Sequence, residues 1–407
     1  MTTIDLAWGA GPSARYDTLA ARFRPIFARI RDGAITRDLE RRLPFDELSW
    51  LKDSGFTTLR LPVESGGFGA SLPELFALLI ELSEADTNVT NALRSHFGFT
   101  EDVLNSRFEE QRARWLPRIA ERETVGSGFS ESGDSKLAAF STTLVRQGDH
   151  WRLNGRKYYT SGSLFADWIN LGAVDGDGNP VSALVPTRAA GVAIVDDWDG
   201  FGQSLTASGT ATFADVLLPD AYVNPSPERF RYSTAFFQLV HLATLAGLGR
   251  AAATDVARLV GERKRVYSHG NADRIADDPQ ILQIVGRVRG AAYAAGAIAL
   301  KAAEAVQRAY EARQAGDEEA ETAAVAVADL EVNQAVTVIT TLILEATTTL
   351  FDALGASAAK RGTGLDRHWR NARTIASHNP RVYRDRIVGD YAVNGTPPPG
   401  QYRVGQP

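Results

Sequence analysis

The chain has 407 residues, of which 44% are hydrophobic and 23% charged, and its formal net charge is -5. That length buries a large core and implies roughly two or three domains, while the mildly acidic balance offers no basic surface for nucleic acid or an anionic membrane. Cysteine is absent, which excludes disulfides, thiolate metal sites and a cysteine nucleophile.

The opening MTTIDLAWGAGPSARYD has no charged start followed by an apolar core, so it does not read as a secretory signal. No apolar run of about 18 residues stands out, and a membrane span is not expected. The expectation is a cytoplasmic protein with neither nucleic-acid nor membrane partners.

Residues from about Ala14 to Arg122 read as helices. ARYDTLAARFRPIFARIRDGA and LPFDELSWLKDSG place apolar residues three and four apart. Ser71 and Glu74 form a capping-box pattern at the start of a helix through LFALLIELSEAD. From about Val125 to Val223 the period becomes two, with short runs such as HWRLNG, WINLGAV and GVAIVDD separated by turns at Gln147-Gly148-Asp149 and Asp175-Gly176-Asp177-Gly178. This zone reads as an antiparallel β-domain. From about Ser233 three long alanine-rich helices follow, with Ala315-Gly316-Asp317 breaking the second from the third, and LDRHWRNARTIASH closes the set. Helices apolar around most of their circumference pack in a bundle or a subunit interface. The resulting division is 1–124 helical, 125–223 β, and 224–407 helical bundle, an α+β chain. The tail GTPPPGQYRVGQP is expected to be loosely ordered.

Several motifs fail. Gly247-Leu-Gly249-Arg-Ala-Ala252 fits a loose dinucleotide pattern but lies inside a helical run, where close helix packing explains it. There is no Walker A loop, no HExxH and no G-x-S-x-G. The six histidines show no metal-ligand spacing, and no metal is expected.

Five segments in order carry a resemblance. LPFDELSWLKDSGFTTLRLPVESGGFGASLPELFALLIELSEAD, GSGFSESGDSK with WRLNGRKYYTSGSLFADW, LTASGTATFADVLLP, LVGERKRVY, and FDALGASAAKRGTGLDRHWRNAR are similar to the acyl-CoA dehydrogenase superfamily. LRSHFGF, GASA, DRHWRNART and SHNP resemble one branch of it, the two-component flavin monooxygenases of the dibenzothiophene monooxygenase type (group D). The resemblance implies the acyl-CoA dehydrogenase fold: an N-terminal helical domain, a central antiparallel β-domain and a C-terminal four-helix bundle. It implies reduced FMN as cofactor, ahead of FAD, delivered by a separate NAD(P)H:flavin reductase. It further implies molecular oxygen as co-substrate, a C4a-peroxide on the flavin, a small and fairly apolar substrate oxygenated at sulfur, nitrogen or carbon, and a homotetramer.

A dehydrogenase of this fold needs a carboxylate to remove a proton from carbon. The resemblance puts Asn379 at one such position, and the other falls near Phe237, where FFQ has no acid. An amide cannot abstract that proton. His378 is left beside the flavin, where an imidazole titrating near neutral pH can donate to the reacting oxygen; without the resemblance it reads as a surface histidine. Ser161 is implied to bind the flavin and orient its oxygen, and alone reads as a strand-end turn residue. Tyr159 is implied to pack beside the isoalloxazine, and Ser130 to donate at its pyrimidine edge. His96 is implied at the floor of the substrate pocket and Trp198 on its wall; each reads equally as core. Arg263 matches the family's phosphate arginine, within a basic run that otherwise suits a solvated face. Ser357 is a candidate for the phosphate of a flavin in a neighbouring subunit. The alternatives are an acyl-CoA dehydrogenase or oxidase with FAD and a displaced base, and a catalytically silent flavin-fold binding protein.

Overall fold

The structure, a computed structural model, describes residues 7–131, 140–225 and 227–400. The Ser132–Lys136 end of the turn that contributes to the family resemblance lies outside the described residues, as do the last seven residues of the tail.

Among the described residues, eight helices precede the sheet: α1 (Tyr16–Ala21), α2 (Arg24–Asp32), α3 (Ala34–Glu40), α4 (Phe45–Ser54), α5 (Leu72–Ala85), α6 (Thr87–Ala92), α7 (Arg94–Asn105) and α8 (Glu109–Ala120). The capping box forms as expected. The Ser71 side chain accepts from the Glu74 backbone, and the Ser71 backbone donates to Glu74 Oε2 at 2.8 Å. The helix it starts, α5, is apolar on nearly every face and is correspondingly buried.

The middle of the chain forms one sheet from β1 (Val125–Gly128), β2 (Thr143–Gln147), β3 (His150–Lys157), β4 (Trp168–Val174), β5 (Pro180–Pro186), β6 (Val192–Val195), β7 (Thr210–Pro219) and β8 (Val223–Asn224). The order is β6-β7-β3-β2-β4-β5-β8, with β1 pairing β4. Both turn signals act as read: Gly148 takes φ 65° in the β2–β3 hairpin, and Asp175 Oδ1 accepts from the backbones of Asp177 and Asn179 between β4 and β5. The sheet is not wholly antiparallel, which corrects the sequence expectation. β1 runs parallel to β4, with Val125 opposite Trp168. The β2–β3 hairpin intervenes between them in sequence, so the chain returns to β1 through a crossover and not a hairpin.

The C-terminal part holds α9 (Ser233–Glu262), α10 (Pro279–Ala315), α11 (Glu318–Thr349), α12 (Asp366–Ala376) and α13 (Arg384–Asn394). The break between α10 and α11 falls at Gly316, in the left-handed region with φ 74°, and Asp317 caps α11 by accepting from the Ala320 backbone. The Gly247 and Gly249 pair lies within α9 and serves packing. A Cβ on Gly247 would meet the Ile80 carbonyl at 2.3 Å, and one on Gly249 would meet Ile343 at 2.6 Å.

The two helical zones share one core. Leu75, Phe76 and Leu79 of α5 pack with Phe236, Leu239 and Leu242 of α9 and with Ala302 and Ile339 of the bundle. The sheet has a core of its own around Leu153, Ile169 and Phe213. One segment, Glu318–Ala353, is long and apolar enough by length and composition to cross a bilayer, contrary to the sequence expectation. It packs against α9, α10 and α13, and a bundle helix with a polar buried face (Glu321, Asn333, Thr340) meets the same test.

Candidate functional site

Two walls face the junction of α6 and α7. The first is the turn after β3. Lys157, buried at the end of the strand, pairs with Glu131 at 2.5 Å. Burial works against charge on both. It pulls the lysine down to about 8, while Lys157, Ser141 and Thr142 together hold Glu131 at about 2. This clamp fixes the turn beside Ser130, whose carbonyl accepts from the Tyr158 backbone at 2.9 Å. Ser130 itself is exposed.

The chain then passes through Tyr159 at φ 58°, a strained conformation for a side-chain-bearing residue. Its ring is half-exposed and packs 5.9 Å from that of Trp198. Ser161 follows, its hydroxyl 2.5 Å from that of Ser208, which in turn lies 2.6 Å from Thr206. Gln203 (φ 52°) and Ala207 (φ 47°) add two more left-handed residues to the same patch. Such strain persists only where surrounding structure enforces it, and it clusters at functional sites. Gly162 sets this turn directly on the helices: a Cβ there would meet the Ala92 carbonyl at 2.1 Å.

The second wall comes from α7, α9 and the segment after α12. Phe237, Gln238 and His241 lie within two turns of α9. His378 and Asn379 follow α12 and meet them. Asn379 Nδ2 donates to Gln238 Oε1 at 2.8 Å, and His378 Nδ1 is 3.3 Å from Asn379 Oδ1. Because the Asn379 oxygen can only accept, Nδ1 carries the imidazole proton and Nε2 is left as an acceptor. The His378 ring packs 4.3 Å from that of His241. His378 is exposed to solvent yet crowded by protein, which is the situation of a cleft wall. Loss of solvation and the charge of Arg94 lower it to about 4, so it is neutral at pH 7 and does not titrate there, contrary to the sequence expectation. His241, wholly buried, is pushed well below its ordinary value by burial, His378 and Arg94. Arg94 lies over the Phe237 ring at 4.7 Å and donates to the Phe237 carbonyl.

The three proposed catalytic side chains do not touch one another among the described contacts. His96 is two residues from Arg94 and points to the opposite side of α7. It is buried, 2.8 Å from the Thr57 carbonyl through Nε2, and burial lowers it to about 4. It lines a hollow with Lys52, Leu93, Gly162 and Phe165, so it borders the Ser161 turn and not the His378 cluster. A second hollow, around Asp38, Glu84, Asp86, Arg367 and His368, contains none of the sequence-derived candidates. Trp198 is held by its Nε1 bond to the Gly202 carbonyl at 3.1 Å.

Arg263 caps the far end of α9. Its Nη2 donates to Tyr267 Oη at 3.0 Å, and its buried Nη1 has no hydrogen-bond partner. Tyr267 lies against Gly355, where a Cβ would meet its hydroxyl at 2.3 Å. The chain runs on from Gly355 to Ser357, whose exposed hydroxyl is engaged only by the Leu354 carbonyl at 3.4 Å. The two phosphate candidates therefore share one locus, with a free guanidinium hydrogen available.

Three families match successive parts of the chain: the acyl-CoA dehydrogenase N-terminal domain over residues 18–123, the middle domain over 128–216 and the C-terminal domain over 239–381. The chain belongs to the acyl-CoA dehydrogenase superfamily. Within the superfamily it is similar to the probable FMNH2-dependent monooxygenase SfnC of Pseudomonas putida, at 27% identity over 394 residues covering 92% of this chain and 94% of that one. It is also similar to the dibenzothiophene monooxygenase of Mycolicibacterium goodii, at 26% identity, with 88% and 90% covered. FMN-bound TdsC from Paenibacillus sp. A11-2 superposes with a TM-score of 0.84 at 28% identity, over 94% of this chain and 98% of that one. These matches put the chain in the two-component monooxygenase branch.

Of the two positions where the resemblance puts a dehydrogenase's base, one is Asn379 and the other, near Phe237, carries no acid; Asn379 donates to Gln238, the residue after Phe237. Sequence reasoning missed Arg94, Gln238 and His241. Gln238 and His241 sit at the i, i+3 spacing that puts both on one helix face, next to the Phe237 position already singled out. Arg94 lies in the same LRSHFGF segment as His96 and was passed over for the histidine.

Proposed function

We propose that the protein is an FMNH2-dependent monooxygenase that takes reduced flavin from a separate reductase and oxygenates a small, fairly apolar substrate. The observation that carries this is Asn379, bonded to Gln238, where the resemblance puts a dehydrogenase's base, with no acid at the other position near Phe237 and a neutral imidazole alongside. The relatives supply the positive side, being FMNH2-dependent and dibenzothiophene monooxygenases by name.

The side chains fit FMN. The hydroxyls of Ser161 and Ser208 and the strained Tyr159 turn offer a polar edge and an aromatic face for the isoalloxazine, with Ser130 at the rim. Arg263, with its unpartnered Nη1, and Ser357 suit the phosphate. Reduced FMN, when bound, supplies electrons and activates oxygen. The protein's part is to orient and to keep water out. The Asn379–Gln238 chain fixes the His378 ring and presents Nε2 as an acceptor. His378 can thereby hold a proton at that atom during turnover and return it without carrying charge at rest.

A homotetramer is part of the proposal. His241 and Arg263 are separated by about 22 residues of helix, roughly 33 Å, which is longer than FMN. An isoalloxazine beside His378 and a phosphate on Arg263 therefore belong to different subunits. Leu282, Tyr293, Val327 and Val338 are each more than two-fifths exposed on α10 and α11 and offer an apolar face for the contact.

The dehydrogenase alternative needs an acid in the cleft. Asp102 is the candidate. It lies on the α7 face that also bears Arg94 and Gly98, but it is paired with Arg229 at 3.4 Å and accepts from the Phe230 backbone. The Phe237 ring packs onto Gly98 between Arg94 and Asp102. The test is turnover with reductase-generated FMNH2 and a panel of thiophenes, sulfones, sulfinates and phenols. Oxygenated product is expected from the native protein, and His378→Ala is expected to divert most turnover to hydrogen peroxide. Full coupling in that variant would refute the role given to His378.

A further inference from the structure

The helical wall gathers basic groups that no acid answers among the described residues. His241 and His378 pack ring to ring at 4.3 Å. Arg94 lies near enough to act on both of them. Among the described residues it donates to a carbonyl, that of Phe237 at 3.2 Å. The charged group felt by Arg94 is another cation, Arg229, and burial together with that charge lowers Arg94 to about 9. Asp102 neutralises Arg229 at 3.4 Å and spends its other oxygen on the Phe230 backbone. Among the described residues the cluster thus has an uncompensated guanidinium.

A second observation is independent of charge. His241 is 1% exposed, and neither of its ring nitrogens has a hydrogen-bond partner among the described residues. A neutral imidazole carries one N–H donor and one acceptor, and native interiors rarely leave such groups unmet. Arg94 is only partly buried, so a ligand against this wall can reach it. Aromatic surface adjoins it: Phe237 lies under Arg94, and Arg229 bridges Phe237 and Phe129 at 5.0 and 4.4 Å.

We propose that Arg94, with the unpartnered His241 ring beside it, binds the acidic head of the substrate, and that the substrate is a small organic oxyanion whose apolar body lies on Phe237 and Phe129. Guanidinium recognises the paired oxygens of a sulfinate or a carboxylate bidentately. In calling the ligand the substrate, the inference rests on the monooxygenase reading, but the binding itself needs no flavin.

The experiment is calorimetric titration of the full-length protein, with and without oxidised FMN, using benzenesulfinate, benzoate and the uncharged methyl phenyl sulfone. At least one anion is expected to bind about tenfold or more tightly than the sulfone. Comparing the two anions separates a sulfur from a carbon head group. Arg94→Met is expected to erase the preference and Arg94→Lys to keep part of it. The Met variant should also melt no lower than the native protein, since it removes a desolvated charge that has no acidic partner. A purely structural arginine would instead lower the melting point and leave the preference unchanged. The proposal is overturned if the sulfone binds as well as the anions, if neither anion binds, or if Arg94→Met retains the preference. Anion preference without oxygenation of any compound would sink the monooxygenase reading and leave the anion site standing.

Discussion

Gly162→Ala tests how tightly the flavin-facing turn is set on the helical frame. Gly162 has φ 79°, and a Cβ there would fall 2.1 Å from the Ala92 carbonyl oxygen. The left-handed conformation alone costs an alanine about 1 kcal/mol. The contact is more than 1 Å too short, so the turn must lift off α6, and overpacking of this kind costs about 1–3 kcal/mol. The sum is about 2–4 kcal/mol. The neighbouring Ser161 moves with the turn, and a displacement near 1 Å in a positioning group can cost about a hundredfold in rate. Gly148→Ala is the control: φ is 65° there, but nothing lies within 4 Å of the added carbon. It should show the strain alone. Thermal melting and the ratio of peroxide to product read the two effects. A Gly162→Ala protein that melts like Gly148→Ala and stays coupled would show that Gly162 does not set the turn on α6.

Arg263→Ala is expected to weaken FMN binding about tenfold to a hundredfold, the range for losing a charge-assisted bond, without shifting the melting point appreciably; unchanged affinity would reduce Arg263 to a partner of Tyr267. Acid stability follows from His96, which burial lowers to about 4 from an ordinary value near 6.5. The unfolded chain then binds the extra proton first, so stability is complete above pH 6.5 and falls as pH drops toward 4, by at most about 3 kcal/mol for this residue. Asp102, raised to about 6 by burial against the pull of Arg229, works in the opposite sense between pH 6 and 3.8. His96→Gln should therefore flatten the loss between pH 6.5 and 4 relative to the native protein, and an unchanged melting profile would contradict the assignment.

The elements were legible because their signals are local. Ser71 and Glu74, three residues apart, announce the start of α5, and Gly316-Asp317 announces both the end of α10 and the cap of α11. Period two located the strands, clearest in β3 and β6, where inward and outward residues alternate, while β4 and β5 carry consecutive buried residues. The parallel pairing of β1 with β4 was not legible. It joins segments some forty residues apart and depends on which edge the β2–β3 hairpin leaves open, not on any pattern within β1.

The site divides in the same way. Asn379, Phe237 and His378 were found by their place in a family order, and the structure brings His378 and Asn379 to Gln238 and His241. The state of His378 was not legible. A histidine in a sequence suggests titration near neutral pH, and only the surrounding bulk and Arg94 reveal that it is neutral. Arg94 was passed over for a similar reason, because an arginine at a helix start reads as solvated until its neighbours prove to be cations and a phenyl ring. The ring of His96 is turned to Thr57 by helix geometry that sequence adjacency to Arg94 conceals.

Turnover under isotopically labelled oxygen probes the chemistry itself. With reductase-supplied FMNH2 and labelled O2, one labelled atom is expected in the organic product and the other in water. A product that carries no label, together with bleaching of bound flavin by an acyl-CoA, would show that Asn379 and Gln238 have not displaced the dehydrogenase reaction.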